Sequence, residues 1–132
     1  MLWMHLIKAI LITIFIDFLW IGVINKKNYE DVIVKVQKTP FMVRYAPAII
    51  VYIAIALLVV VWIIPKVMEV TKNKKDLMMN CYKYGGMLGF LCYAIYDFTN
   101  YAIFSDWTLK ITLMDSLWGA FLTGTVTYLT IL

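Results

Sequence analysis

Residues 45–64 read YAPAIIVYIAIALLVVVWII, twenty positions without a charge. As a helix rising 1.5 Å per residue, a run of roughly 20 apolar residues crosses the roughly 30 Å hydrocarbon layer of a bilayer. Three further runs flank it: Leu2 to Ile24, Met79 to Phe104, and Leu109 to the last residue, Leu132. In a chain of 132 residues, 64% hydrophobic and only 15% charged, four such runs cannot be hidden from water in one soluble core. The sequence therefore predicts an all-α integral membrane bundle of four transmembrane helices, with residues 1–132 forming a single domain.

Local signals set the expected boundaries. Thr39 followed by Pro40 resembles an N-cap with proline at the first helical position, so the second span is expected to open there and to run to about Ile64 before Pro65, with a helical extension in the basic segment ending around Thr71 to Asn73. Between the first two spans, Tyr29, Val32, Ile33 and Val36 repeat at helical spacing opposite charged residues. That pattern predicts an amphipathic helix over Asn28 to Lys38 lying in the membrane interface, with a strand or irregular loop competing because of its β-branched residues. The first run begins almost at Met1, lacks a small-residue cleavage site and is too long for a signal peptide's apolar stretch, so it reads as a retained span.

The net charge of +4 is concentrated in the loops. With four spans, Lys8, Lys66, Lys72, Lys74, Lys75 and Lys83 lie toward one face, and Lys26, Lys27, Lys35, Lys38, Arg44 and Lys110 toward the other. The balance is even, so the positive-inside rule assigns no orientation. These lysines suit anionic lipid headgroups, and no nucleic-acid module accompanies them. Cys81 and Cys92 stand about 16 Å apart along one predicted helix, too far for a disulfide between them. His5 has no spaced metal-ligand partner and reads as an interfacial residue, while Trp3, Trp62 and Trp107 fit an aromatic belt. The sequence calls for no cofactor and leaves a metal undecided.

Three acids, Asp17, Asp97 and Asp115, fall inside spans, where each costs roughly 2.5–3.5 kcal/mol at a helix centre. Counting residues from the middle of each span puts all three about 6–8 Å from the midplane on one side, the side of the first and third loops. The expectation is a polar chamber open toward that face, with Tyr93 and Asn100 on the Asp97 stripe and Arg44, Tyr45 and Tyr52 entering from the second span. Close carboxylates repel, so the cluster is expected to hold at least one proton. Gly85 and Gly89 on the third span, and Ser116, Ala120 and Gly124 on the fourth, make small-residue ridges suited to close helix packing.

Asp17 with Trp20, the run Tyr45 to Ala48, the run Tyr96 to Asn100, Trp107, and Asp115 with Trp118 and Gly119 together resemble the predicted small membrane proteins grouped as domain of unknown function 2177. The resemblance covers all four spans and implies their topology. It implies no substrate or reaction. Two functions remain open on the residues themselves. One is a small ion- or proton-conducting or transporting protein, acting as a homo-oligomer because four short helices enclose little volume. The other is a structural or assembly protein of a cellular or large-virus inner membrane, in which the acids only join helices. An enzyme using Asp97 and Asp115 as an acid/base or metal pair fits less well, since the third loop is too short to build much of a site.

Overall fold

The computed structural model describes residues 1–132. The chain is helical throughout, with no strand. Five continuous helices follow one another: α1 (Leu2–Ile24), α2 (Lys26–Gln37), α3 (Tyr45–Val70), α4 (residues 74–103) and α5 (Leu109–Ile131). Of these, α1 with 23 residues and α3 with 26 are long and apolar enough to cross a membrane. In α4 and α5, Asp97, Asn100, Asp115 and a series of glycines and threonines dilute the apolar content.

One expected boundary moves. The second long helix opens at Tyr45 and not at Thr39, with Arg44 as its N-cap in an extended conformation. Pro47 then occupies the first turn, where a missing backbone N–H leaves no intrahelical bond unmade. Past Pro65 the expected extension forms without a break, and the helix continues to Val70 with Thr71 as its C-cap. Residues Leu58–Ile63 widen into a π-helical stretch, and the Ile64 N–H donates to Val59 O five residues back. The widened turn gives the proline ring the room that a regular α-turn denies it. The amphipathic segment is a helix, closing at Lys38 in the left-handed conformation (φ 62°).

At the centre lies α5, packed on α4, α1 and the far half of α3. Glycine sets the closeness of α4 and α5: a Cβ added to Gly89 would strike Gly119 O and Thr123 Oγ1, and one on Gly85 would come 2.8 Å from Thr127 Oγ1. Ser116 is fully buried, Ala120 O lies close over Gly86, and Gly124 accommodates the Tyr82 ring. The half of the molecule holding the start of α1 and the end of α5 is built on Ala56, Val59, Ile63, Val67, Leu122 and Val126, with Thr123, Thr127 and Thr130 of α5 buried among them. Lys8 Nζ there reaches Thr130 O at 3.3 Å.

Only 29 of 132 residues are buried, while Trp3, Phe15, Trp62, Ile95 and Leu117 each expose more than half their surface. Apolar surface on this scale is suited to lipid. Trp107, expected in the interfacial belt, is instead buried.

Candidate functional site

The polar half of the molecule is built around the three aspartates. In α1 the α-helical turns end at Asp17 and a π-helical stretch, Phe18–Ile24, follows. Asp17 is buried, and accepts from Tyr52 Oη of α3 at 2.7 Å and from Trp118 Nε1 of α5 at 3.0 Å. One carboxylate thus ties three helices. The Trp118 ring stacks on Trp20 with centroids 4.4 Å apart and planes 4° from parallel. Trp20 Nε1 donates to Tyr29 Oη at 3.0 Å, and Tyr29 Oη donates to Asp115 Oδ1 at 2.5 Å. A continuous polar path therefore runs from Tyr52 through Asp17 and the stacked indoles to Tyr29 and Asp115. Burial, and then the Asp115 carboxylate, push the Tyr29 phenol well above its ordinary range.

Asp97 differs from the other two. It is fully buried, and neither of its oxygens has a hydrogen-bond partner. The Asp115 carboxyl and the Trp107 indole are its polar neighbours, without reaching hydrogen-bond geometry. Trp107 Nε1 is likewise buried and unpartnered. The indole is held edge-on against Tyr96, with centroids 6.1 Å apart.

Asp17, Asp97 and Asp115 thus lie in one region of the bundle. Tyr93 joins them, lying across Gly119 so closely that a Cβ there would come 2.7 Å from Tyr93 Cβ, within electrostatic reach of Asp17 and Asp115. Asn100 is partly buried one turn beyond Asp97, beside Tyr96. Arg44 stays outside: the late start of α3 leaves it exposed, as it leaves Tyr45. No group of three or more His, Cys, Asp or Glu side chains is arranged to hold a metal ion.

The expected opening toward the first-loop face is covered. Across it lies α2, whose Tyr29 and Val32 pack with Trp107 and Ile111. Tyr29 and Trp107 are the two site residues that sequence reasoning missed. A signal existed for Tyr29, since a tyrosine on the apolar side of an amphipathic helix brings a hydroxyl that needs a partner once buried.

An all-helical chain with membrane-length apolar helices, a lipid-suited surface and acids sequestered inside is an integral membrane protein. Residues 2–132 match the family model described as predicted membrane protein (DUF2177), and the chain belongs to that family. Neither a curated protein nor a solved structure matches it.

Proposed function

We propose that α1, α3, α4 and α5 all cross the membrane as one four-span domain, and that the Asp97 and Asp115 carboxyls bind and pass protons. The observation that carries this reading is Asp97, which lies fully buried with no donor on either oxygen. A carboxyl kept only to join helices would be expected to have donors, as Asp17 has from Tyr52 and Trp118. Two neighbouring carboxyls out of water cannot both carry charge, so a pair of this kind is suited to taking up and releasing a proton. The hydrogen bonds of Tyr29 with Trp20 and of Trp118 with Asp17, joined by the stack of the two indoles, hold the surrounding helices in register. Assembly of several copies in the bilayer would supply a route across it that four helices alone are too few to enclose. The test is proton flux in proteoliposomes: Asp97→Asn is expected to abolish it, and equal flux in parent and variant removes the proposal.

A second reading is favoured by the Tyr52, Trp118 and Tyr29 bonds, which join α1, α2, α3 and α5. On that reading the protein is a structural or assembly component of its membrane. It predicts no flux in the parent, with Asp17→Asn and Asp115→Asn altering assembly or stability only.

A further inference from the structure

We propose that α2 is a hinged lid over the Asp97 and Asp115 carboxyls, latched by Tyr29, and that water reaches them along the groove between α2 and the start of α5. The proposal rests on the proton-binding reading above, because it names the route by which protons would enter.

Four observations converge on it. First, the attachment of α2 to the bundle is small. Its polar ties are the Tyr29 bonds to Asp115 and Trp20, and an exposed ion pair of Lys38 with Asp106 at 3.8 Å. An exposed pair at that distance contributes little. Its apolar hold is a single face, Tyr29 and Val32 packed on Trp107 and Ile111 with Ile33 and Val36 partly buried beside them. Second, both ends of α2 can turn. At one end Asn25, with φ −114° and ψ 16°, is the only residue between α1 and α2. At the other, Lys38 is left-handed and residues 38–44 form no helix before α3. Short non-helical joints at both ends of a helix are where hinge motions are absorbed.

Third, a groove of about 150 Å³ already runs along the seam. Asn28, Asp31, Thr108 and Lys110 give it a polar lining, and Val32 and Met114 lie along it. Val32 is one turn from Tyr29 and Met114 adjoins Asp115, so the groove leads to the latch. Fourth, the group beneath is the one buried carboxyl without a partner. With α2 in place Asp97 has no exposed surface. With α2 swung aside, water could supply the donors that both Asp97 oxygens and the acceptor that Trp107 Nε1 lack. Tyr29 is accordingly a positioning residue: its phenol occupies Asp115 while the lid is shut.

The experiment uses the full chain in proteoliposomes. A water-soluble carbodiimide with an added amine modifies carboxyls that water reaches, and peptide mass spectrometry reads the rate at Asp97. The parent is expected to react slowly. Tyr29→Phe, which removes the bond to Asp115 and the acceptor of Trp20 Nε1 and keeps the ring, should raise the rate about tenfold, as loss of a hydrogen bond to a charged group implies. Val32→Ala, which leaves the polar path untouched, should raise it as well. Asp17 is the internal control, cleanest in Val32→Ala, where Tyr29, Trp20 and Trp118 are unchanged and its donors Tyr52 and Trp118 do not come from α2. An unchanged Asp97 rate in both variants overturns the lid, and so does an equal rise at Asp17, which would mean general loosening. Proton flux measured on the same vesicles separates the two ideas. Faster labelling without flux in the parent leaves the lid and removes the proton reading. Asp97-dependent flux with unaltered labelling does the reverse.

Discussion

Replacing one buried aspartate should leave the bundle as stable as before, while replacing another should weaken it, and the difference separates a working carboxyl from a joining one. Asp97→Asn keeps the shape and removes the possibility of charge. Neither Asp97 oxygen gives up a hydrogen bond, because neither has one. The amide that replaces the carboxyl is still a buried polar group, so the cost of burying one stays; its N–H donor faces Asp115, which can accept. The expected change is therefore close to neutral, within about 1 kcal/mol. Asp17→Asn is the opposite case. Tyr52 Oη and Trp118 Nε1 both donate to the parent carboxylate, one to each oxygen. An amide has one oxygen, which must stay with Trp118 Nε1 because an indole only donates, so the N–H₂ group turns to Tyr52 Oη, which then accepts. Two bonds to a carboxylate become two weaker neutral ones, and with interhelical bonds in membranes contributing about 0.6–1.7 kcal/mol each the expected loss is about 1–2 kcal/mol. Reversible unfolding of the two variants beside the parent, in the same detergent and followed by helical circular dichroism, reads both. An Asp97→Asn variant that loses as much as Asp17→Asn would refute the reasoning and make Asp97 another joining group.

Gly89→Ala should destabilise by about 1–3 kcal/mol, because the added methyl meets Gly119 O and the Thr123 side chain and forces α4 away from α5. Gly22→Ala meets only the Phe18 ring, at 3.0 Å, and should stay within about 0.5 kcal/mol in the same unfolding measurement. The stacked pair Trp20 and Trp118 should give a coupled near-ultraviolet circular dichroism signal that Trp20→Phe and Trp118→Phe each abolish; its survival in either variant would mean the rings are not stacked in solution. Burial and the Asp115 carboxylate raise the Tyr29 phenol, so the folded chain holds that proton more tightly than the unfolded one. The stability this contributes is complete below about pH 10, where a free tyrosine ionises, and is lost as pH rises further; Tyr29→Phe should show a shallower alkaline fall in unfolding free energy.

The depth of the three aspartates was legible because a residue count along a straight helix measures height, and Asp17, Asp97 and Asp115 do lie in one region. Tyr52 and Tyr93 were legible as their companions for the same reason. Arg44 was not, since its position depends on where α3 begins, and Thr39 with Pro40 imitates a helix start that Pro47 supplies. The helical extension past Pro65 was legible, but the π-helical stretch that accommodates the proline was not, since no periodicity of 3.6 anticipates it. Tyr29 and Trp107 were missed because a helical wheel identifies the apolar side of α2 without saying what that side covers. The cover is decided by a contact between residues separated by most of the chain, such as Tyr29 with Asp115.

The glycine seam between α4 and α5 is what brings Asp97 and Asp115 together. The helices run antiparallel through the short loop of residues 104–108, and at their closest approach Gly89 meets Gly119 and Thr123 while Tyr93 lies on Gly119. Asp115 stands one turn from Gly119 toward the loop, and Asp97 stands one turn from Tyr93 in the same direction, so the two acids reach nearly one height and Asp115 is a polar neighbour of Asp97. A methyl on either glycine would part the helices and with them the two carboxyls. The contact that makes the bundle tight is therefore also the one that pairs the acids, and Gly89→Ala should loosen both.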